Sequence, residues 1–202
     1  KRLVIIGLGY FLDPANVATP GNAGLQDVTA GSRIAGFTIN NGANGSKFLG
    51  ITLGGISIGV SATPYNLVFE KVQFTGGLNF ANGTHSNITV RKSYFLNNGI
   101  SATAGDLSNL VVENCIFSGF SANLNLQSLT GSANIIRNNT FYSTYLSNIP
   151  NCYFANNIIA DANYEWVFTN TTVKNNLFGK ATQIIPVTGS ANQVGVNMTN
   201  VF

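Results

Sequence analysis

Apolar and polar positions alternate with a period of two along most of the chain, and the alternation returns as a repeated phrase. The phrase stands most plainly as Asn109-Leu110-Val111-Val112-Glu113-Asn114-Cys115-Ile116-Phe117, and it comes back at 87–95, 134–141 and 171–178. Within it Leu110 and Val112 alternate with Val111 and Glu113, Ile88 and Val90 with Thr89 and Arg91, and Leu67 and Phe69 with Val68 and Glu70. A period of two marks a strand with one face turned inward, and no stretch keeps helical apolar spacing over a helix's length. Each copy closes on a large apolar residue: Phe74, Phe95, Phe117, Phe141, Ile159 and Phe178, at intervals of 18 to 24 residues. Such a period predicts a solenoid, whose units stack because none can bury its apolar face alone. Strands recurring in one direction without crossover helices form a parallel coil, with successive turns ~4.8 Å apart. Parallel connections are overwhelmingly right-handed. The fold class predicted is therefore all-β: a right-handed parallel β-helix, one domain over 1–202, of about eight or nine coils.

Aligning the copies on the closing residue turns sequence into columns that run up the coil. Three positions before it stand Lys71 and Lys92, then Asn114, Asn138, Asn156 and Asn175. Asparagine tolerates the left-handed backbone of a sharp bend, and its amide can bond to the asparagine above and below. A stacked amide column at this bend is expected, and it explains part of the 29 Asn in the chain. One position earlier the column reads Glu70, Arg91, Glu113, Arg137, then Ala155 and Lys174. Opposite charges alternating at one-coil spacing suit cross-strand pairing on an exposed face.

Elsewhere Gly31–Ile39 is echoed by Gly45–Leu53 at an offset of 14 residues, which predicts two tight coils. Turn formers crowd 13–31, an expected excursion from the coil. Second short strands follow the main ones at Ile56/Ile58, Leu78/Phe80, Ile100/Ala102, Leu124/Leu126, around Val167 and at Ile184/Ile185. The chain starts abruptly at Lys1-Arg2 and stops at Asn197–Phe202 in what reads as the beginning of another turn, as an interior piece of a longer surface protein would.

Composition narrows the function classes. Charged residues make up only 8% of the chain and hydrophobic ones 45%. That balance points to a secreted or cell-surface protein. The net charge of +3 comes from Lys and Arg spread along the chain, so the pI near 9.0 reflects few acids and not a basic patch. No phosphate loop, zinc-type spacing or transmembrane run occurs, so neither a nucleic-acid partner nor membrane insertion is expected. Cys115 and Cys152 fall in different columns two coils apart, too far for a bridge, and are expected to be free and buried.

The phrases Asn87-Ile88-Thr89-Val90-Arg91-Lys92-Ser93-Tyr94-Phe95 and Ile135-Ile136-Arg137-Asn138-Asn139-Thr140-Phe141 resemble the repeat of the pectate-lyase-like superfamily. The opening Leu3-Val4-Ile5-Ile6-Gly7-Leu8-Gly9-Tyr10 resembles its first coil. The likeness is nearest in style to secreted or cell-surface β-helix proteins of bacteria. It implies lyases that hold calcium with carboxylates and use an Arg or Lys as base, and equally adhesins and scaffolds. The lyase-like set would be Arg91 and Lys92 with Glu70 and Glu113, and calcium enters as a cofactor only on that reading. The acids are seven, Asp13, Asp27, Glu70, Asp106, Glu113, Asp161 and Glu165, with no adjacent pair, so the alternating ladder is the simpler account of these four residues. His85, in the turn-rich run 82–87, is expected to be a solvated loop residue, and the Asn-x-Ser/Thr triplets to arise by chance. One enrichment goes beyond the repeat: Tyr142, Tyr145, Tyr164 and Trp166, with Tyr153 between them. Exposed rings on a flat β surface stack on sugars. The expected function is thus a non-catalytic adhesive or glycan-binding surface module. A polysaccharide lyase and a structural spacer are the alternatives, and no resident cofactor or metal is expected.

Overall fold

Period-two strands that each expose one apolar edge stack into a parallel β-solenoid. The computed structural model describes residues 1–7, 32–60, 65–142, 147–160, 166–179, 191–196 and 198; the expected excursion at 13–31 and the strand at Ile184/Ile185 lie outside them. The first face holds Val4–Ile6, Lys47–Leu49, Tyr65–Glu70, Thr84–Arg91, Asp106–Glu113, Asn134–Arg137, Cys152–Ala155 and Thr172–Lys174, hydrogen-bonded in that order. The second runs from Gln73–Phe74 through Tyr94–Leu96, Ile116–Ser118, Thr140–Tyr142, Ile158–Ile159 and Leu177–Phe178 to Gln193–Val194. The third stacks Leu78–Phe80, Ile100–Ala102, Leu124–Asn125, Ser147–Pro150 and Trp166–Thr169. Every pairing is parallel, and no α-helix occurs among the described residues.

Strand Thr52–Ile58 serves two faces at once, pairing with Gln73–Phe74 through Thr52 and Leu53 and with Leu78–Phe80 through Ile56 to Ile58. The bend between the two halves needs glycine. A Cβ on Gly54 would lie 1.2 Å from the Ala35 carbonyl oxygen, and one on Gly76 would lie 2.3 Å from the Gly55 nitrogen.

The closing residues stack in register as the column Leu53, Phe74, Phe95, Phe117, Phe141, Ile159 and Phe178. Phe74, Phe95 and Phe117 lie nearly parallel with centroids 4.3 and 4.5 Å apart, and Phe141 continues the stack at 4.8 Å. Offset aromatic stacks add roughly 1 kcal/mol per pair to what burial supplies, so one sequence column is the spine of the core.

The bend after the first face divides its work between two adjacent positions. Lys71, Lys92, Asn114, Asn138, Asn156 and Asn175 all take left-handed backbone, with φ between 52° and 56°. Their side chains are exposed. The amide ladder expected there stands one residue later: Asn139 Nδ2 donates to Asn157 Oδ1 at 3.1 Å, Asn157 to Asn176 at 3.0 Å and Asn176 to Asn192 at 3.0 Å. The side-chain oxygens of Asn139, Asn157, Asn176 and Asn192 also accept the backbone N–H of the turn before, from Cys115, Asn139, Asn157 and Asn176 in that order. The correction is physical. A left-handed residue turns its own side chain outward, so its successor points into the bend, where a buried backbone N–H needs an acceptor. Asn66, Asn87 and Asn109 within first-face strands, and Asn151 and Asn170 at the corner that leads into that face, take the same left-handed backbone, with φ between 49° and 61°.

Among the described residues six complete three-sided turns are present, with partial turns at either end, instead of the eight or nine expected. The strand at 4–6 and the two halves of the 14-residue echo do not make a full coil each. Arg33–Ile39 does not lie on Lys47–Leu49 as the echo implies. Ile34 pairs with Leu53 and Ile39 with Ile58, an offset of 19 residues, while Lys47–Leu49 lies on Val4–Ile6 in another face. Sequence likeness there reflects a shared strand pattern, not adjacency.

Both cysteines are free and buried, and burial pushes each thiol from its ordinary 9.0 up to about 12. Below pH 9 the thiols are protonated in the folded and the unfolded chain, and stability carries no pH dependence from them. Between pH 9 and 12 the unfolded chain releases two protons that the folded one keeps, so stability falls as pH rises. The urea midpoint of the wild type should therefore drop more steeply between pH 9 and 11 than that of a Cys115→Ala/Cys152→Ala variant. Equal slopes would show that neither thiol is held protonated.

Candidate functional site

Outward residues give each face its own chemistry. On the first face Glu70, Arg91, Glu113 and Arg137 occupy one continuous register, as their alternation predicts. They pair two by two: Arg91 Nη2 donates to Glu70 Oε2 at 2.8 Å, and Arg137 reaches Glu113 Oε2 through Nη2 and Nε at 2.8 and 2.9 Å. Lys92 Nζ adds a contact of 3.4 Å to Glu70. The Arg91 hydrogen bond, more than any other influence, holds the Glu70 carboxyl below the usual carboxylate range. All four lyase-like residues are thus engaged in a charge ladder, and Arg91 stands between the two carboxylates. Calcium takes six to eight oxygen ligands. Among the described residues no group of three or more His, Cys, Asp or Glu side chains is placed to hold a metal.

The aromatic set separates. Trp166 is 1% exposed and lies inside, edge-on to Phe141 at 4.9 Å and close to Phe154 and Phe168. Its placement follows from parity: Trp166 and Phe168 are two residues apart on one strand, so both point inward while Val167 points out. A ring in the core offers no face to a sugar, which removes Trp166 from the expected ligand-binding set. Tyr142 is 52% exposed at the end of Thr140–Tyr142. Tyr145 and Tyr164 lie outside the described residues.

Tyr142 lines an open groove of about 470 Å³ on the second face together with Tyr94, Ile116, Ser118 and Thr140. Two outward columns build it: Gln73, Tyr94, Ile116, Thr140 and Ile158 in one, and Leu96, Ser118 and Tyr142 in the other. Ile116 is 45% exposed and adds apolar surface beside the Tyr142 ring. Sequence reasoning missed Tyr94 and Ile116. The signal was present, since each stands one position before an inward closing phenylalanine and so must face outward.

A second, more polar groove of about 740 Å³ lies on the first face between Thr130–Ser132, Asn151, Tyr153, Asn170 and Thr172. Tyr153, exposed there, continues the outward column of Thr89, Val111 and Ile135. His85 is not in a solvated loop. It is buried within Thr84–Arg91 in the inward column that continues as Leu107 and Leu129, with Nε2 2.9 Å from the Ala81 carbonyl oxygen and the ring against Phe80. The third face presents a column of small polar residues, Ser57, Asn79, Ser101, Asn125 and Asn148.

Stacked turns, an inner amide ladder and three chemically distinct outer faces define the chain as a parallel β-solenoid. No protein-family model, no curated protein and no solved structure matches it. Among the described residues no helix is long and apolar enough to cross a membrane.

Proposed function

We propose that the chain is a right-handed parallel β-helix of the pectate-lyase-like superfamily, working as a non-catalytic, secreted or cell-surface bacterial module that holds glycan instead of cleaving it. The handedness rests on the near-universal hand of parallel connections, and the superfamily on the repeat phrases. One observation carries the function: the half-exposed Tyr142 ring borders an open groove, whereas the charged residues a lyase would use are spent on each other. Aromatic rings give a sugar apolar area beside polar rims, and a rigid solenoid supplies the pre-organisation that flexible loops lack. Export fits the low charge of the chain.

A glycan array paired with a lyase assay on acidic polysaccharides, with and without calcium, tests this against its rivals. The expected result is array binding that Tyr142→Ala weakens, with no unsaturated product released. Unsaturated product that disappears in Arg91→Ala would replace the module with a lyase. Silence in both assays would leave a structural spacer.

A further inference from the structure

From Thr52 onward the second face carries no Asp, Glu, Lys or Arg in either outward column among the described residues; Arg33, in register with Thr52, lies three strands below Tyr94. The nearest cation in sequence, Lys92, reaches back to Glu70 on the first face. Tyr94 and Tyr142 stand two turns apart along the axis and two residues apart across the strands. Their separation is on the order of 10 Å, which matches alternate rings of an extended polysaccharide. Between them lie the exposed Ile116 and the hydroxyls of Ser118 and Thr140.

From this we infer that the groove takes an uncharged, extended polysaccharide, with Tyr94 and Tyr142 stacking on alternate rings and Ser118 and Thr140 hydrogen-bonding the ring hydroxyls. This deepens the glycan reading above and rests on it. The class follows from desolvation. A uronate polymer would press its carboxylates against Ile116 and Leu96, where neither outward column offers a cation, and an unpaired charge is costly to remove from water. A neutral chain carries no such cost. Its apolar ring faces match the tyrosines, and its equatorial hydroxyls stay at the groove's polar edge.

Native affinity electrophoresis through gels containing hydroxyethylcellulose, glucomannan or polygalacturonate at equal concentration tests the inference. The wild type should be retarded by a neutral polymer and not by polygalacturonate. Tyr94→Ala and Tyr142→Ala should each weaken retardation roughly tenfold, while the phenylalanine variants keep it. Ile116→Glu, which leaves both rings in place, should weaken it as well; unchanged thermal midpoints would exclude misfolding as the cause. Retardation by polygalacturonate as strong as by the neutral gels, or neutral binding indifferent to both alanine variants, would overturn the inference and leave glycan binding at another face standing. Retardation by none of the three, together with a blank glycan array, would overturn both.

Discussion

Replacing Asn157 by alanine is expected to lower the unfolding free energy by roughly 4 kcal/mol, because several buried groups lose partners at once. Its Oδ1 accepts from the Asn139 backbone N–H at 2.9 Å and from Asn139 Nδ2 at 3.1 Å, and its Nδ2 donates to the Ile136 carbonyl at 3.1 Å and to Asn176 Oδ1 at 3.0 Å. Each group left unsatisfied in the interior costs about 1–3 kcal/mol, and the site lies too deep for water to replace the amide freely. Asn156 next to it is the control. Its side chain is exposed and its contribution is a backbone at φ 56°, so Asn156→Ala should cost only about 1–2 kcal/mol. Chemical denaturation of the two variants measures the difference. Equal losses would mean that the inner ladder adds nothing to the bend.

Trp166→Ala is expected to cost roughly 4 kcal/mol for the cavity it leaves. The side chain fills the interior, where it meets Phe141 of the second face, Phe154 of the first and Phe168 of its own strand at centroid distances of 4.9 to 6.0 Å. Because it is the only tryptophan, intrinsic fluorescence reports on it alone. Native emission should be blue-shifted and insensitive to iodide, then move to the red on unfolding. Trp166→Phe, which keeps an apolar ring, should recover most of the stability and leave glycan binding intact. A native emission already red-shifted and quenched by iodide would place the ring outside and return it to the ligand-binding set.

The solenoid was legible in the sequence because its cause is local and repeated. Phe74, Phe95, Phe117 and Phe141 recur at one phase of the pattern, and stacking them brings every other column into register, including Glu70, Arg91, Glu113 and Arg137. Two features were legible but misassigned. The Asn-Asn pairs at 138–139, 156–157 and 175–176 each hold one left-handed residue and one ladder residue, and spacing alone does not say which is which. Deciding it needs the rule that the left-handed residue faces out. Trp166 was placed by composition, although its parity with Phe168 already fixed it inside. The 14-residue echo at 31–53 misled for another reason: like strand patterns recur on different faces of one turn, so similarity does not imply stacking. The groove was the least legible feature. It depends on Tyr94 and Tyr142 from turns 48 residues apart in sequence converging on one face, and it becomes visible only when the outward columns are aligned together.

On the proposed reading, ligand meets the Tyr94–Tyr142 stretch of the second face and not the charge ladder of the first. Amide chemical-shift mapping of the labelled protein during titration with a soluble neutral oligosaccharide tests this most directly. Shifts should concentrate at Tyr94, Ile116, Ser118, Thr140 and Tyr142, with Glu70, Arg91, Glu113 and Arg137 unmoved. Shifts centred on the ladder residues, with the Tyr94–Tyr142 face silent, would contradict it.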